Sequence, residues 1–80
     1  MKYKDGQIVR AGDIVQIDDL YRGVVVASIE DKSYLPGYEE REWDYLESGA
    51  LIDTNFAGLV HYPHANEQLV LLSRGVEVRQ

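Results

Sequence analysis

Eighty residues with 14 acids, 8 lysines and arginines and no cysteine make one small acidic domain of net charge −6. A chain of that length buries only about 60% of its extended surface, which excludes a second domain and a deep multi-residue cleft. The lack of cysteine excludes disulfides, thiolate catalysis and Cys-based zinc sites, and a pI near 4.7 leaves few cations to neutralise nucleic-acid phosphates.

The N-terminus, Met1-Lys2-Tyr3-Lys4-Asp5-Gly6, has two lysines but no apolar segment behind them, and no stretch approaches the roughly 20 apolar residues of a membrane span. The expected location is the cytoplasm, with no membrane partner. Gly12-Asp13 then opens a β-branched run, Ile14-Val15-Gln16-Ile17, read as the first strand. Asp18-Asp19 is a turn, and Arg22-Gly23 leads into Val24-Val25-Val26-Ala27-Ser28-Ile29. That second run is too apolar for a half-exposed strand and has the length of a central one buried on both sides or wrapped into a barrel. Glu30-Asp31-Lys32-Ser33 ends it.

Glu39 to Ser48 has the makings of about three helical turns, with acids in the first turn and Gly49 just past the end. Trp43 and Leu46 would share one face, and Tyr38, Glu42 and Tyr45 another. An irregular loop is the competing form. Ala50 to Thr54 and Leu59 to Tyr62 are expected strands joined by Asn55-Phe56-Ala57-Gly58, where a glycine supplies the positive φ of a short hairpin loop. Pro63 stops the fourth strand, Leu69 to Leu72 is a fifth, and Val76-Glu77-Val78 is a short sixth or an edge extension. Five or six short strands with one excursion at about 37–49 predict a mainly all-β fold, a small SH3-like open barrel spanning residues 1–80.

The charge is regional. Residues 30–53 hold eight acids against Lys32 and Arg41, while six acids and six bases balance elsewhere. Five aromatics, Tyr34, Tyr38, Trp43, Tyr45 and Phe56, lie in or beside that window. Trp43 is expected to pin the excursion, leaving Tyr38, Glu39, Glu40, Glu42, Asp44 and Tyr45 as a contact set for a basic partner, since tyrosines anchor interfaces and acids steer cations. The competing assignment makes the tyrosines rim packing and the acids a solvated loop. His61 and His64 face opposite sides of a regular strand, so only a turn at Pro63 could join them on a metal. No serine sits in a nucleophile-elbow context, and neighbouring carboxylates such as Glu39 and Glu42 point to water, so no catalytic residue, metal or cofactor is expected.

Gly12-Asp13-Ile14-Val15-Gln16-Ile17 followed by Gly23-Val24-Val25-Val26 resembles the opening strands of KOW-type SH3-like barrels. That likeness implies the fold, whereas the basic loops with which such domains bind RNA or ribosomal partners are replaced here by an acidic excursion. Trp43-Asp44-Tyr45-Leu46 through Gly49 to Ile52-Asp53-Thr54, with Gly58-Leu59-Val60-His61-Tyr62-Pro63, resembles small acidic bacterial immunity proteins encoded beside secreted polymorphic toxins. This second likeness implies a cytoplasmic protein that neutralises a toxin by binding it. An SH3-like module recognising a peptide or a ribosomal element through Tyr38 and Tyr45 is the alternative, and monomer and dimer both remain open.

Overall fold

The computed structural model describes residues 1–63 and 69–74. Its framework is a single antiparallel sheet. β1 (Ile14–Ile17) turns through Asp18 and Asp19, both in the left-handed region that aspartate tolerates, into the long β2 (Tyr21–Ser28). A two-residue β3 (Ser33–Tyr34) folds back onto the end of β2, pairing Ala27 with Tyr34 and Ser28 with Ser33. The excursion follows, as one α-helical turn, α1 (Glu40–Trp43), and one 3-10 turn (Asp44–Leu46). β4 (Ala50–Thr54) and β5 (Gly58–Tyr62) form a hairpin whose Gly58 has φ +70°, and β6 (Leu69–Ser73) returns beside β1.

The path runs β5-β4-β2-β1-β6, a meander whose last strand closes back on the first. That is the strand order expected of a small SH3-like open barrel, and the protein is mainly β. β3 went unforeseen because two residues carry no periodic signal, whereas Val76-Glu77-Val78 lies outside the described residues.

Two cores explain the uninterrupted apolar run of β2. Opposite β4 the register slips between Val25 and Ala27, so one extra residue is inserted at Val26. Val25 therefore points into a first core with Val15, Ile17, Ala50, Ile52 and Leu69. Val26 and Ala27 enter a second core with Ile29 and Leu51, covered by Tyr34, Leu35, Tyr38, Trp43 and Leu46. Each fully buried aliphatic side chain contributes about 1.5–3 kcal/mol.

The N-terminal residues form a small hairpin, with Lys2 bridged to Ile8 and the Val9 N–H donating to Met1 O at 2.9 Å. It seals the first core with Tyr3 and Val9. Asp13, fully buried, sits behind it. Its carboxylate accepts from the Tyr3 hydroxyl at 2.6 Å, the Arg10 N–H at 3.0 Å and Arg74 Nη1 at 3.0 Å. Arg74 also donates to Ile8 O and Gln7 Oε1, so one carboxylate ties the hairpin, the entry to β1 and the exit from β6.

Candidate protein-binding site

The excursion is held at several points. The Leu35 N–H donates to Val26 O, and the turn Leu35-Pro36-Gly37-Tyr38 closes with Tyr38 N–H on Leu35 O. Glu39, with extended backbone, precedes α1 without making a side-chain cap. The helix is shorter than the sequence pattern predicts. A ten-residue segment lies below the length at which helices sustain themselves, and its pairs run elsewhere: Glu40 bonds Lys32 at 2.9 Å and Glu39 bonds Arg41 at 3.1 Å. Packing dominates instead, and the tighter 3-10 turn sets Trp43 and Leu46 together on the second core.

Lys32 and Glu47, neither of them residues suited to the left-handed region, both occupy it at φ +54° and +71°. They bracket the excursion, and each costs about 1–2 kcal/mol. Gly49 then brings the chain back to β4. A Cβ there would collide with Tyr62 O and lie 2.7 Å from Pro63 Cα, at a backbone φ of +88°.

The six expected contact residues divide into groups. Glu39, Glu40, Glu42 and Asp44 are exposed, and Glu39, Glu40, Arg41 and Asp44 line one shallow open hollow. Tyr45 projects with 69% of its surface exposed. Tyr38 is half-buried on the second core beside Trp43, so it does not share an exposed face with Glu42 and Tyr45. Four-residue helical geometry separates it, since Tyr38 lies before the helix begins. Among the described residues Glu42, Asp44, Glu47 and Asp53 make no ion pair, whereas Glu30 meets the Met1 amine. The Glu40 hydrogen bond holds Lys32 above the usual lysine range. Burial, then the Glu40 charge, raises Tyr34. The Tyr34 hydroxyl and Trp43 Nε1 are buried with no hydrogen-bond partner among the described residues.

Phe56 belongs elsewhere. It stacks on Tyr21 with ring centroids 4.3 Å apart, at the opposite end of β2 from the excursion, next to Leu20, which is 77% exposed. A shallow groove is lined by Ile14, Arg22, Gly23, Val24, Asp53, Thr54 and Asn55, which include the chain neighbours of Tyr21 and Phe56 but neither ring. Sequence reasoning missed this patch. Its one signal was apolar Leu20 and Phe56 inside turns, where polar residues usually sit.

His61 Nε2 lies 2.9 Å from Ser48 O, which ties the ring to the end of the excursion, and His64 lies outside the described residues. Among the described residues no three His, Asp or Glu side chains converge as metal ligands, and no helix is long and apolar enough to cross a membrane. No protein-family model matches the chain, and no significant match to it is found among the curated proteins or the solved structures.

Proposed function

We propose that the protein is a binding protein of the immunity or inhibitor type, which neutralises a cognate bacterial toxin in the cytoplasm by occluding a basic site with its acidic, aromatic excursion. The observation that carries this reading is Tyr45, largely exposed on the same segment as Glu42, Asp44 and Glu47, whose carboxylates make no ion pair among the described residues, with that segment pinned to the sheet by Trp43 and Leu46. A tyrosine on a pre-positioned element loses little entropy on binding, and clustered carboxylates accelerate encounter with a cationic surface. Glu39 and Glu40 take part after exchanging Arg41 and Lys32 for the partner's cations, at small cost because exposed pairs are worth about 0–1 kcal/mol. Tyr38 supports the element from below. The mechanism is steric occlusion and needs no chemistry from this chain.

The test is capture from the lysate of the producing cell, followed by assay of the captured protein's toxicity alone and in complex. The variant Glu42→Lys/Asp44→Lys/Glu47→Lys with Tyr45→Ala should lose capture tenfold or more, and wild-type capture should fall steeply with salt. Unchanged capture at low salt would falsify the assignment.

The aromatic patch at the other end favours a second reading, an SH3-like interaction module that takes an extended peptide across the exposed Tyr21–Phe56 pair. It predicts binding that survives moderate salt and is abolished by Tyr21→Ala or Phe56→Ala, with the excursion variants unaffected.

A further inference from the structure

β5 is one end of the sheet path, and among the described residues its outer side carries no partner strand. The ladder determines which backbone groups point there. Asn55 N–H donates to Arg22 O and Ile29 N–H to Gly49 O, so the odd-numbered positions of this segment turn their backbone groups toward β2. Ala50, Ile52 and Thr54 therefore turn theirs toward β5, where they face Tyr62, Val60 and Gly58. What remains is the N–H and C=O of Leu59 and of His61, all four aimed at the open edge. No described backbone group bonds them.

We propose that β5 pairs antiparallel with β5 of a second copy about a two-fold axis through Val60. In that register Leu59 of each chain exchanges both backbone bonds with His61 of the other, which satisfies all the outward groups with four hydrogen bonds. Val60 faces Val60, and Tyr62 lies over Gly58, covering the glycine that has no side chain to pack. Edge strands normally carry a lysine, a proline or an inward charge that prevents such pairing. Gly58–Tyr62 carries none of these, and Leu59 is 41% exposed.

Charge selects the same arrangement. The excess negative charge sits on the excursion, which meets the Tyr62 end of β5 through Ser48 and Gly49. Antiparallel pairing sends the two excursions to opposite ends of a strand about 16 Å long. It also closes, whereas β5 pairing with β6 of a second copy would repeat without end. A single strand pair falls below the roughly 1,200 Å² of stable interfaces, so the dimer is weak and depends on concentration.

Sedimentation equilibrium of the full chain, from micromolar to millimolar, reads the proposal. The mass should rise from 9.1 kDa toward twice that value. Leu59→Lys and His61→Pro should hold it at the monomer; the proline removes the outward N–H together with the ring's contact to Ser48 O, and it follows Val60, whose strand conformation suits a pre-proline residue. Val70→Lys, on β6, should leave the dimer intact, and Trp43 fluorescence verifies that each variant is folded. Because the chain has no cysteine, Val60→Cys tests the register directly. A non-hydrogen-bonded antiparallel pair sets Cα atoms about 4.5 Å apart, within disulfide reach, so oxidation should cross-link Val60→Cys well ahead of Leu59→Cys. A monomer at every concentration, a Leu59→Lys dimer of undiminished strength, or faster cross-linking at Leu59→Cys overturns the proposal.

Discussion

Replacing Asp13 with alanine tests whether the buried carboxylate is the clasp of the barrel. The side chain is fully buried and accepts from the Tyr3 hydroxyl at 2.6 Å, the Arg10 N–H at 3.0 Å and Arg74 Nη1 at 3.1 and 3.0 Å. Arg74 is partly exposed and can turn to water, so its loss adds little. Tyr3 is only 4% exposed, and its hydroxyl would be left without an acceptor, as would the Arg10 N–H. Two orphaned donors at about 1–3 kcal/mol each put the destabilisation near 3–4 kcal/mol. For 80 residues the whole stability is about 4–12 kcal/mol, so the variant should be marginal. Urea unfolding followed by Trp43 fluorescence gives the difference, and the melting temperature should fall by on the order of 15 °C. Adding Arg74→Ala to Asp13→Ala should cost less than about 0.5 kcal/mol more, because the two act as one unit. A loss below about 1 kcal/mol for Asp13→Ala, or full additivity with Arg74→Ala, would refute the clasp.

Burial, followed by the Asp13 hydrogen bond and charge, pushes the Tyr3 hydroxyl far above the usual tyrosine range. An unfolded chain loses that proton near pH 10 while the folded one keeps it, so folding stability should decline as pH rises above about 10. Tyr3→Phe should cost about 1 kcal/mol at neutral pH and flatten that alkaline decline, measured by urea midpoints from pH 8 to 11. Some slope should persist, because burial raises Tyr34 and Tyr62 as well. Gly49→Ala should cost about 2 kcal/mol or more in thermal melts, since the added methyl meets backbone atoms of Tyr62 and Pro63 and the left-handed backbone resists any side chain.

The strands were legible where β-branched runs met turn residues: Ile14–Ile17, Ala50–Thr54 and Leu69–Ser73 all lie within a residue or two of where those patterns place them. The apolar run of β2 announced burial on both sides, but not the inserted residue at Val26 that produces it, because a bulge depends on the register of a neighbour. Likewise Asp13 read as the start of a strand. Its role rests on Arg74, 61 residues away, and no local pattern carries that distance. The helix was overextended for the opposite reason, since local propensity over Glu39 to Ser48 says nothing of the anchoring that Trp43 and Leu46 require. The acidic window was visible as a charge count; which acids Lys32 and Arg41 neutralise was not, because Lys32 pairs with Glu40 from outside the helix.

The bulge at Val26 also separates what stabilises the protein from what it presents. Below it, β2 contributes Gly23 and Val25 to the barrel that Asp13 fastens; beyond it, Val26 and Ala27 floor the platform on which the excursion rests. Leu51 joins that platform, while its neighbours Ala50 and Ile52 turn into the barrel. Changes at Glu42, Asp44 or Tyr45 touch neither core and alter only the surface offered to a partner. Removing bulk at Val26 or Leu51 instead loosens the footing of Trp43 and Leu46 and leaves the first core packed. Affinity at the excursion and stability of the barrel are thus coupled only through the short segments of β2 and β4 that the two cores share.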